Sequence, residues 1–526
     1  MIYYLLIISG IILSQFPNDY ELTNRLIRQE MATDSMFTSN GIMDIRGLND
    51  EILFLGTNNG LNFIDISLND NFQYGHPLSS EFPMGGNPAL FIHGDKIVFS
   101  GVVGTMMQTG YESKGTGLSY SINGGDSWTY LSQPIDSIPE IDMDGFQIIP
   151  WGGQNLYSLS VTTDINNVSY DIAMDDKYIY AANWAGGIRR FNHLPAPGQI
   201  KEWEIIPLPQ DGDRALLCGE IDSTYSINPK DPGDGGNHNH KGFSVHIIED
   251  TLWVGTAAGI NKGIIGNDDC IDWVRHYQSG LDNISGNWVI GFAYQTLNGF
   301  NRLWAITWAT EYPEKNALSY TEDGGLTWHT SNPLGNMSGK VYNLNIEGNQ
   351  IWASTEKGLY LSNDGKYWEK YDQFKDMFTG EKILTESVYS SYYSQNSQTL
   401  FVGTGDGMVM IDDSTKIKRF WESPDPFSVY PNPFFINDFN QINDNGHVRF
   451  IFLNPNQQNG KIDIYDFSMD KVTHLTDSFF VGPEGKESEI IWNGKNQHGD
   501  KIANGVYFCR LSLSGKYYWT KLAVIN

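Results

Sequence analysis

The sequence predicts an all-β protein in which a seven-bladed β-propeller is followed by a small Ig-like β-sandwich. Three observations support this prediction: a strand-and-glycine signature that recurs through the first 423 residues, its regular spacing, and a change of pattern after a proline-rich boundary at Ser423. The chain has 55 glycines, 13% aromatic residues and only 18% charged residues, a composition that suits a turn-rich β protein.

The recurring signature is an apolar strand ending in small residues, followed by glycine and another apolar pair. Its seven copies centre on strands that contain Ile52, Ile97, Ile179, Leu252, Leu303, Ile351 and Leu400. Four of the six spacings lie between 45 and 51 residues, the length of one four-stranded blade. The other two are 82 and 73 residues, so each is either a blade with an insertion or two blades of which one has lost its signature. We expect seven blades over residues 36–423.

One repeat shows all four strands of a blade. Residues 341–346 alternate, Gly348 turns the chain, and 350–354 is the signature strand. Gly358 then begins a third strand, and a tight turn leads to a fourth near Trp368. A single sheet of this kind cannot bury both faces, so stacking around a ring hides its apolar surface and leaves only short edges.

Three of the turns between the third and fourth strands share a finer pattern, at residues 121–128, 321–328 and 361–368. An Asp or Asn can accept backbone N–H bonds within the turn, a glycine supplies positive φ, and a tryptophan packs between sheets. The third copy has Leu361 where a hydroxyl is usual. The hairpins resemble the Asp-box turns of sialidase-like propellers. The resemblance assigns structural roles to Asn123, Gly125, Trp128, Asp323, Gly325, Trp328, Asn363, Gly365 and Trp368.

The same resemblance raises a hydrolase as an alternative function. Asp323 and Asp364 are expected to be consumed by their own turns rather than to act as catalytic acids. A sialidase would also need an arginine cluster and a Tyr–Glu pair, and the chain has no Arg-Ile-Pro segment. We therefore name no catalytic residue. The alternative that stays open is a glycoside hydrolase of the Asp-box propeller kind, which needs two carboxylates across an open cleft.

Residues 252–261, with the sequence Leu-Trp-Val-Gly-Thr-Ala-Ala-Gly-Ile-Asn, resemble a repeat of the propellers in two-component-regulator sensors. In that family the propeller is an extracellular recognition module. The resemblance implies recognition rather than turnover.

The net charge narrows the range of binding partners, and the cysteine content limits the possible disulfides. The 62 acidic and 34 basic residues give a net charge of −28, which disfavours nucleic acid and anionic lipid surfaces. The chain has three cysteines, Cys218, Cys270 and Cys509. A Cys218–Cys270 disulfide is allowed, although buried free thiols are the simpler expectation.

The N-terminus begins with an apolar run that ends at Leu13, too short to span a bilayer, followed by Ser14, where a signal peptidase could cut. No Lys or Arg precedes the run, and a buried N-terminal strand is the other interpretation. We predict a signal peptide over residues 1–15 and no transmembrane segment in the mature chain.

The long segment 207–241 is rich in carboxylates, which suit Ca²⁺, but it has no twelve-residue EF-hand pattern. We expect no cofactor, and we name Asp211, Asp213 and Asp222 as the weak candidates for a Ca²⁺ site. His238 and His240 lack a second ligand pair at the spacing that zinc sites use.

A second unit is predicted over residues 428–526, after a linker that contains Pro424 and Pro426. Alternating runs at 447–453, 460–467, 488–492, 505–513 and 517–524 predict five or more strands of an Ig-like sandwich. Its motif residues are Tyr430, Pro431, Asn432, Pro433, Trp492, Gly494, Gly499, Gly505 and Tyr507.

These motifs resemble the C-terminal domains of exported bacterial proteins, both the flagellar-hook-scaffold Ig-like type and the type IX secretion sorting type. The resemblance implies contact with outer-membrane secretion machinery and attachment at the cell surface, whereas a passive spacer is the alternative. Together the patterns predict a secreted or surface-attached recognition protein whose propeller binds an extracellular glycan or protein. A purely architectural surface protein is a third interpretation.

Overall fold

A computed structural model gives the fold. It describes residues 38–526 except for 68–71, 78, 108–109, 137–144, 196–201, 221–224, 231–235, 298, 336, 372–373, 377–381, 384, 419–426, 438–445, 455–460, 476–479, 482–486 and 514. The predicted signal peptide, Asp222 and the linker prolines lie outside the described residues. In the described part of the chain, no helix is both long and apolar enough to cross a bilayer.

The first 31 strands belong to the propeller region. They are β1 (Ile42–Leu48), β2 (Ile52–Thr57), β3 (Gly60–Asp65), β4 (Gln73–Gly75), β5 (Leu90–His93), β6 (Lys96–Met107), β7 (Gly110–Ser121), β8 (Thr129–Leu131), β9 (Phe146–Trp151), β10 (Gln154–Leu159), β11 (Ser169–Met174), β12 (Tyr178–Asn183), β13 (Gly187–Asn192), β14 (Trp203–Ile206), β15 (Ser226–Ile227), β16 (Gly242–Ile248), β17 (Thr251–Thr256), β18 (Gly259–Ile265), β19 (Ile271–Tyr277), β20 (Trp288–Leu297), β21 (Phe300–Trp308), β22 (Ala317–Thr321), β23 (His329–Ser331), β24 (Val341–Glu347), β25 (Gln350–Thr355), β26 (Gly358–Ser362), β27 (Glu369–Tyr371), β28 (Val388–Ser394), β29 (Thr399–Thr404), β30 (Gly407–Ile411) and β31 (Thr415–Lys418). A single turn of 3₁₀ helix spans His238–His240.

Within the described residues these strands form seven four-stranded antiparallel sheets, which we number 1 to 7 in chain order. The sheets are β1–β4, β5–β8, β11–β14, β16–β19, β20–β23, β24–β27 and β28–β31. Their first strands contact one another in sequence, and β28 of the last sheet returns to β1 of the first. The sheets therefore close into a ring, and the predicted all-β propeller class is confirmed.

The apolar core lies between neighbouring sheets rather than inside any one of them. Trp304 and Ile306 of sheet 5 pack with Leu344 and Ile351 of sheet 6. At the closure, the Phe401 ring of sheet 7 lies 5.7 Å from the ring of Phe72, which precedes β4 of sheet 1. This arrangement explains why the signature strands are apolar on both faces, since each sheet is covered on both sides.

The wide spacings are explained by inserted residues. β9, β10 and β15 form an extra three-stranded sheet outside the seven, with β10 and β15 parallel. Residues of this extra sheet, such as Trp151 and Ile227, pack with Tyr180 of sheet 3 and Trp273 of sheet 4. Each gap in the spacing therefore holds an insertion.

The extra sheet is covalently tied to the ring. Cys218 lies in the segment between β14 and β15. It forms a disulfide with Cys270, which directly precedes β19 of sheet 4. The expectation of free thiols was wrong for this pair, because the insertion folds back over sheet 4 and brings the two cysteines together. Cys509 is a buried free thiol.

The C-terminal unit is a two-sheet β-sandwich. Its strands are β32 (Phe427–Tyr430), β33 (Phe434–Phe435), β34 (Val448–Leu453), β35 (Lys461–Tyr465), β36 (Lys471–Leu475), β37 (Phe480–Val481), β38 (Glu487–Trp492), β39 (Gly505–Leu513) and β40 (Lys516–Ile525). One sheet has the order β32-β34-β38-β37 and the other β33-β40-β39-β35-β36. Phe450 and Trp492 of the first pack with Ile464 and Leu511 of the second, so the predicted sandwich class is confirmed.

The sandwich contacts sheet 7 through the turn between β29 and β30. Arg449 of β34 forms an ion pair with Asp406, and neither side chain is more than 1% exposed. The Tyr430 hydroxyl donates to the carbonyl of Gly405 at 3.0 Å. On its other side the same turn meets the start of the described chain, where the Gly407 N–H donates to the Asn40 carbonyl at 2.9 Å.

Candidate functional site

The first strands of six sheets share an irregularity that shapes the channel at the centre of the ring. In each of β1, β11, β16, β20, β24 and β28 the pairing with the second strand shifts by one residue near the N-terminal end. Such a bulge bends the strand and redirects side chains. The extra residues are Met43, Tyr170, Phe243, Ile290, Tyr342 and Tyr389.

Aromatic rings accumulate at this level of the channel. The Tyr342 ring lies 5.6 Å from Tyr389 and 6.1 Å from Trp308, and the Tyr170 ring lies 6.1 Å from Phe243. Phe243 in turn contacts Trp184 at 5.0 Å and Trp288 at 5.2 Å. We call these seven residues the aromatic collar. Tyr170, Trp308, Tyr342 and Tyr389 are the members that line the channel.

Two lysines lie against the collar. The Lys340 ammonium is 4.4 Å from the centre of the Trp308 ring, and that of Lys241 is 5.5 Å from Trp184. Burial lowers the pKa of Lys340, and the carboxylate of Glu356 opposes the shift. A cation over an aromatic face is attracted by the ring quadrupole, so these lysines stabilise the collar.

Along the first strands, from the bulges to their C-terminal ends, lies a cavity of about 700 Å³. Its polar lining includes Asp44, Arg46, Asp171, His246 and Asn343, which we call the channel site. These five residues come from sheets 1, 3, 4 and 6, and are brought together only by closure of the ring. None of them was identified from the sequence.

Hydrogen bonds fix the acids of the channel site. Asp44 accepts bonds from the Arg46 Nε at 3.1 Å, the Asn343 amide at 3.1 Å and the Ile45 N–H at 2.9 Å. Asp171 accepts the N–H of Ile172 at 2.9 Å on one oxygen and that of Val245 at 3.0 Å on the other. Every carboxylate oxygen of the two acids therefore has a donor from the protein.

Burial shifts the pKa values of the two acids and of the histidine of the channel site in opposite directions. Burial raises the pKa of Asp171 to about 7, although the Val245 amide and the Arg46 guanidinium oppose the rise. Burial also raises the pKa of Asp44, against the attraction of Arg46. Burial, together with the positive charge of Arg46, lowers the pKa of His246 to about 4. The lowered pKa of His246 favours its neutral form at neutral pH, and the raised pKa of Asp171 favours its protonated form.

Arg46 is the group best placed to meet a ligand. Its side chain lines the cavity and is 41% exposed, and Asp44 accepts a bond from its Nε only. Arginine presents fixed, planar donors that suit carboxylates, phosphates and carbonyl oxygens. The channel site can therefore hold a polar or anionic group beneath an apolar, aromatic collar.

The three predicted turn motifs lie away from the channel, between the third and fourth strands of sheets 2, 5 and 6. In the first, Asn123 accepts the Ser127 N–H at 3.0 Å, and the Ser121 hydroxyl accepts the Gly125 N–H at 2.9 Å. In the second, Asp323 accepts the Thr327 N–H at 2.8 Å. Although burial opposes it, hydrogen bonds from Thr327 and Thr321 lower the pKa of Asp323 to about 2.

The third motif is one residue shorter than the other two, although the sequence analysis treated all three as equal in length. Asp364, rather than Asn363, accepts the N–H groups of Lys366 at 2.7 Å and Tyr367 at 3.0 Å. Ser362, rather than Leu361, supplies the hydroxyl that accepts the Gly365 N–H at 2.9 Å. The assignment of Asn363 was therefore wrong, because the shorter hairpin moves both roles along the chain by one residue.

The tryptophans of the first two motifs pack against neighbouring aromatic rings, and the motif glycines Gly125, Gly325 and Gly365 all have positive φ. The Trp128 ring lies 5.0 Å from Phe82 and 5.5 Å from Phe99. The Trp328 ring lies 5.6 Å from Tyr277 of sheet 4, and the Trp368 indole donates to Ser331 at 3.1 Å. These contacts hold each turn against the neighbouring strands.

Two Ca²⁺ candidates lie among the described residues: the carboxylate of Asp211 has partners within the protein, and Asp213 makes a contact through its backbone carbonyl. Asp211 accepts the N–H groups of His238 and Asn239, each at 2.8 Å, and so caps the short 3₁₀ turn. The carbonyl of Asp213 lies 3.1 Å from His276 Nδ1. Within the described residues no group of three or more His, Cys, Asp or Glu side chains is arranged to hold a metal ion.

The motif residues of the sandwich hold its strands and turns. Asn432, between the cis-linked Pro431 and Pro433, donates to the Lys521 carbonyl at 2.8 Å and accepts the Ala523 N–H at 2.9 Å. The buried Trp492 donates to the Lys495 carbonyl at 2.9 Å, and the Tyr507 hydroxyl donates to the Ala503 carbonyl at 2.8 Å. Gly494, Gly499 and Gly505 have positive φ.

No family model matches the chain. No curated protein matches it either. Among solved structures, the extracellular domain of a hybrid two-component system from B. thetaiotaomicron is 12% identical with a TM-score of 0.37, over 93% of this chain and 56% of that one. PorZ, a surface component of the type-IX secretion system of Porphyromonas gingivalis, is 14% identical with a TM-score of 0.31, over 93% and 66%. Virginiamycin B lyase from Staphylococcus aureus is 10% identical with a TM-score of 0.39, over 73% and 97%. The chain thus spans less than two thirds of the first two proteins.

Proposed function

We propose that this chain is a secreted or cell-surface recognition protein whose propeller binds the end group of an extracellular polymer or protein in its central channel. The C-terminal sandwich, on this proposal, serves export or attachment. The observation that supports it is the channel cavity, which combines aromatic walls with a few converging polar groups.

The size and lining of the cavity suit a bound group rather than solvent alone. Its volume of about 700 Å³ falls within the range of roughly 300–1,000 Å³ typical of ligand sites. Tyr170 and Tyr342 offer ring faces, while Arg46 and the neutral His246 offer polar contacts below them. A sugar residue or a peptide terminus has the matching combination of apolar face and polar or anionic edge.

The test is a binding screen of the intact chain on glycan and peptide arrays, repeated with channel and control variants. We expect ligands that bind the natural chain to be lost with Arg46→Gln and weakened with Tyr342→Ser. Tyr367→Ser is the control, because Tyr367 is 83% exposed on an outer hairpin. Ligands that survive both channel substitutions would place the binding surface elsewhere and contradict the proposal.

One observation favours the alternative, a glycoside hydrolase. Asp171, whose pKa is about 7, shares the channel with Asp44, and a general acid needs a raised pKa. Against it, both carboxylates already accept protein hydrogen bonds on each oxygen. Release of reducing ends from a bound polysaccharide, abolished by Asp171→Asn, would favour the hydrolase; binding without release favours recognition.

The export proposal rests on the C-terminal motifs and has its own test. Removing residues 428–526 is expected to leave the propeller inside the cell of its native host or release it from the surface. The intracellular level of the truncated chain must be measured at the same time, since a truncated protein that is degraded would mimic an export defect. Surface delivery that is unchanged by the truncation would contradict the proposal.

A further inference from the structure

The outer face of the five-stranded sheet of the sandwich is unusually aromatic for a surface. Along β39 the side chains of Tyr507, Cys509 and Leu511 point into the core, so Phe508 and Arg510 point outward. Along β40 the outward positions are Tyr517, Trp519 and Lys521, because Leu522 and Val524 point inward. Together with Tyr465 of β35, these outward residues form what we call the aromatic face.

The rings of the aromatic face lie side by side across three strands. The register pairs Tyr465 with Phe508, Phe508 with Lys521, and Arg510 with Trp519. The Tyr465 and Trp519 rings are 5.9 Å apart and inclined by 36°. Tyr517 is 65% exposed and Trp519 48% exposed. Large ring surfaces left open in this way mark interaction sites on soluble proteins.

Arg510 sits at the centre of these rings. Its guanidinium carbon lies 5.2 Å from the Tyr465 ring, 5.2 Å from Tyr517 and 5.6 Å from Trp519. It donates to Asp463 at 2.8 Å. The rings and the ion pair together fix the arginine side chain, so the face is an ordered platform.

The same face is positively charged on a strongly acidic protein. Asp463, which is buried, contacts the ammonium of Lys471 at 3.0 Å and that of Lys461 at 3.3 Å in addition to Arg510. Although burial opposes it, hydrogen bonds from Arg510, Lys471 and Lys461 lower the pKa of Asp463 to about 2. One carboxylate thus meets three cations, and Lys521 adds another beside Phe508, in a chain whose net charge is −28.

We propose that the aromatic face binds an acidic polysaccharide. Sugar rings present apolar C–H faces that stack on open aromatic rings, and their carboxylate or sulfate groups pair with lysines at the rim. Charge complementarity argues for this occupant over a second copy of the chain paired through the same face, because a two-fold pair would bring the lysines of the two faces together. The site is separate from the channel, so this inference does not depend on the function proposed for the propeller.

The experiment is affinity electrophoresis of the full chain in gels that contain alginate, chondroitin sulfate or neutral dextran. We expect retardation by the two acidic polymers that weakens as salt is raised, and none by dextran. Trp519→Ser is expected to weaken the apparent affinity about tenfold, the effect of removing one anchoring ring from an interface. Tyr517→Ser and Lys521→Glu test the same face at other positions. Tyr367→Ser, on the propeller, is the control and should bind normally.

Each other outcome overturns the proposal. Equal retardation of the natural chain and all three face variants would show that the face does not hold the polymer, and absence of retardation by both acidic polymers would do the same. Binding to phosphatidylglycerol vesicles without polymer binding would assign the face to a membrane. Dimerisation that is lost in Trp519→Ser, seen by sedimentation without polymer binding, would assign it to a second copy.

Unchanged thermal unfolding of Tyr517→Ser and Lys521→Glu excludes misfolding as the cause of lost binding.

Discussion

Arg449 of the C-terminal sandwich and Asp406 of the last propeller sheet form an ion pair that is buried from solvent on both sides. Arg449 also contacts Glu489 at 3.2 Å within its own domain. The pair therefore joins two units that are otherwise separate in sequence, and it places two charges where water cannot solvate them.

We predict that Asp406→Ala lowers the free energy of unfolding by about 3–5 kcal/mol, the usual cost of removing one partner of a buried ion pair, with the remaining contact to Glu489 placing the loss toward the lower end of that range. Denaturant unfolding followed by fluorescence measures the change. The double variant Asp406→Leu/Arg449→Met is expected to be more stable than Asp406→Ala, because it removes both fully buried charges, whereas Glu489, the other contact of Arg449, is partly exposed. Equal stability of Asp406→Ala and the natural chain would show that the pair is not buried in solution.

The channel site predicts a pH dependence with two opposing contributions. The pKa of Asp171 is raised from about 3.8 to about 7, so its protonated form is favoured in the folded state. Its stabilisation is fully present below pH 3.8 and is lost as pH rises toward 7. The pKa of His246 is lowered from 6.5 to about 4, so its stabilisation is present above pH 6.5 and is lost as pH falls toward 4.

Single substitutions should separate the two contributions between pH 4 and pH 6.5. We predict that His246→Gln becomes more stable relative to the natural chain as pH falls, and that Asp171→Asn becomes less stable relative to it. Each difference is expected to change by at most about 1.4 kcal/mol per pH unit, the limit for one proton. Denaturant midpoints at matched pH values measure both, and stability differences that stay constant with pH would contradict the assigned shifts.

The second turn motif offers a matched pair of glycines. Gly324 and Gly325 both have positive φ, but a Cβ at Gly325 would lie 2.4 Å from the Tyr277 hydroxyl, whereas the nearest atom at Gly324 is Lys262 Nζ at 3.7 Å. We predict that Gly324→Ala costs about 1–2 kcal/mol from backbone strain, and that Gly325→Ala costs about 1–3 kcal/mol more from the clash. Thermal unfolding of the two variants measures the difference, and equal losses would mean that the turn does not pack against sheet 4.

The disulfide of the extra sheet closes a long loop. Cys218 and Cys270 are 52 residues apart, and a loop of that length corresponds to about 4 kcal/mol in the chain-entropy description. We predict that Cys218→Ser/Cys270→Ser is destabilised by that order, and that reducing agent lowers the stability of the natural chain to the same level but leaves the variant unchanged. A natural chain that is indifferent to reduction would contradict the pairing.

The fold class could be predicted because its signals are local. An apolar strand such as 252–256, with glycine three residues after it, identifies one sheet, and repetition identifies the ring. The sequence could not decide whether the two wide spacings held an insertion or a further blade, because no sequence pattern shows where inserted residues will pack. The third turn motif was misaligned by one residue, since Asn363 and Asp364 are chemically similar and only the hydrogen bonds distinguish them.

The channel site could not be predicted, because it is assembled by closure of the ring. Asp44 and Asn343 are 299 residues apart, yet their side chains share a hydrogen bond. A signal was nevertheless present. The first strands of several sheets carry an aromatic residue followed by a small polar one, as in Tyr170-Asp171, Tyr342-Asn343 and Tyr389-Ser390. The aromatic residue of each pair is the extra residue of the bulge, and the polar residue follows it.

The turn that contains Asp406 touches the sandwich through Arg449 and the beginning of the ring through Asn40. A chain tethered by its C-terminal unit would therefore transmit any pulling force directly to the junction between the last and first sheets. That seam, rather than the sandwich itself, would set the mechanical strength of the tethered protein.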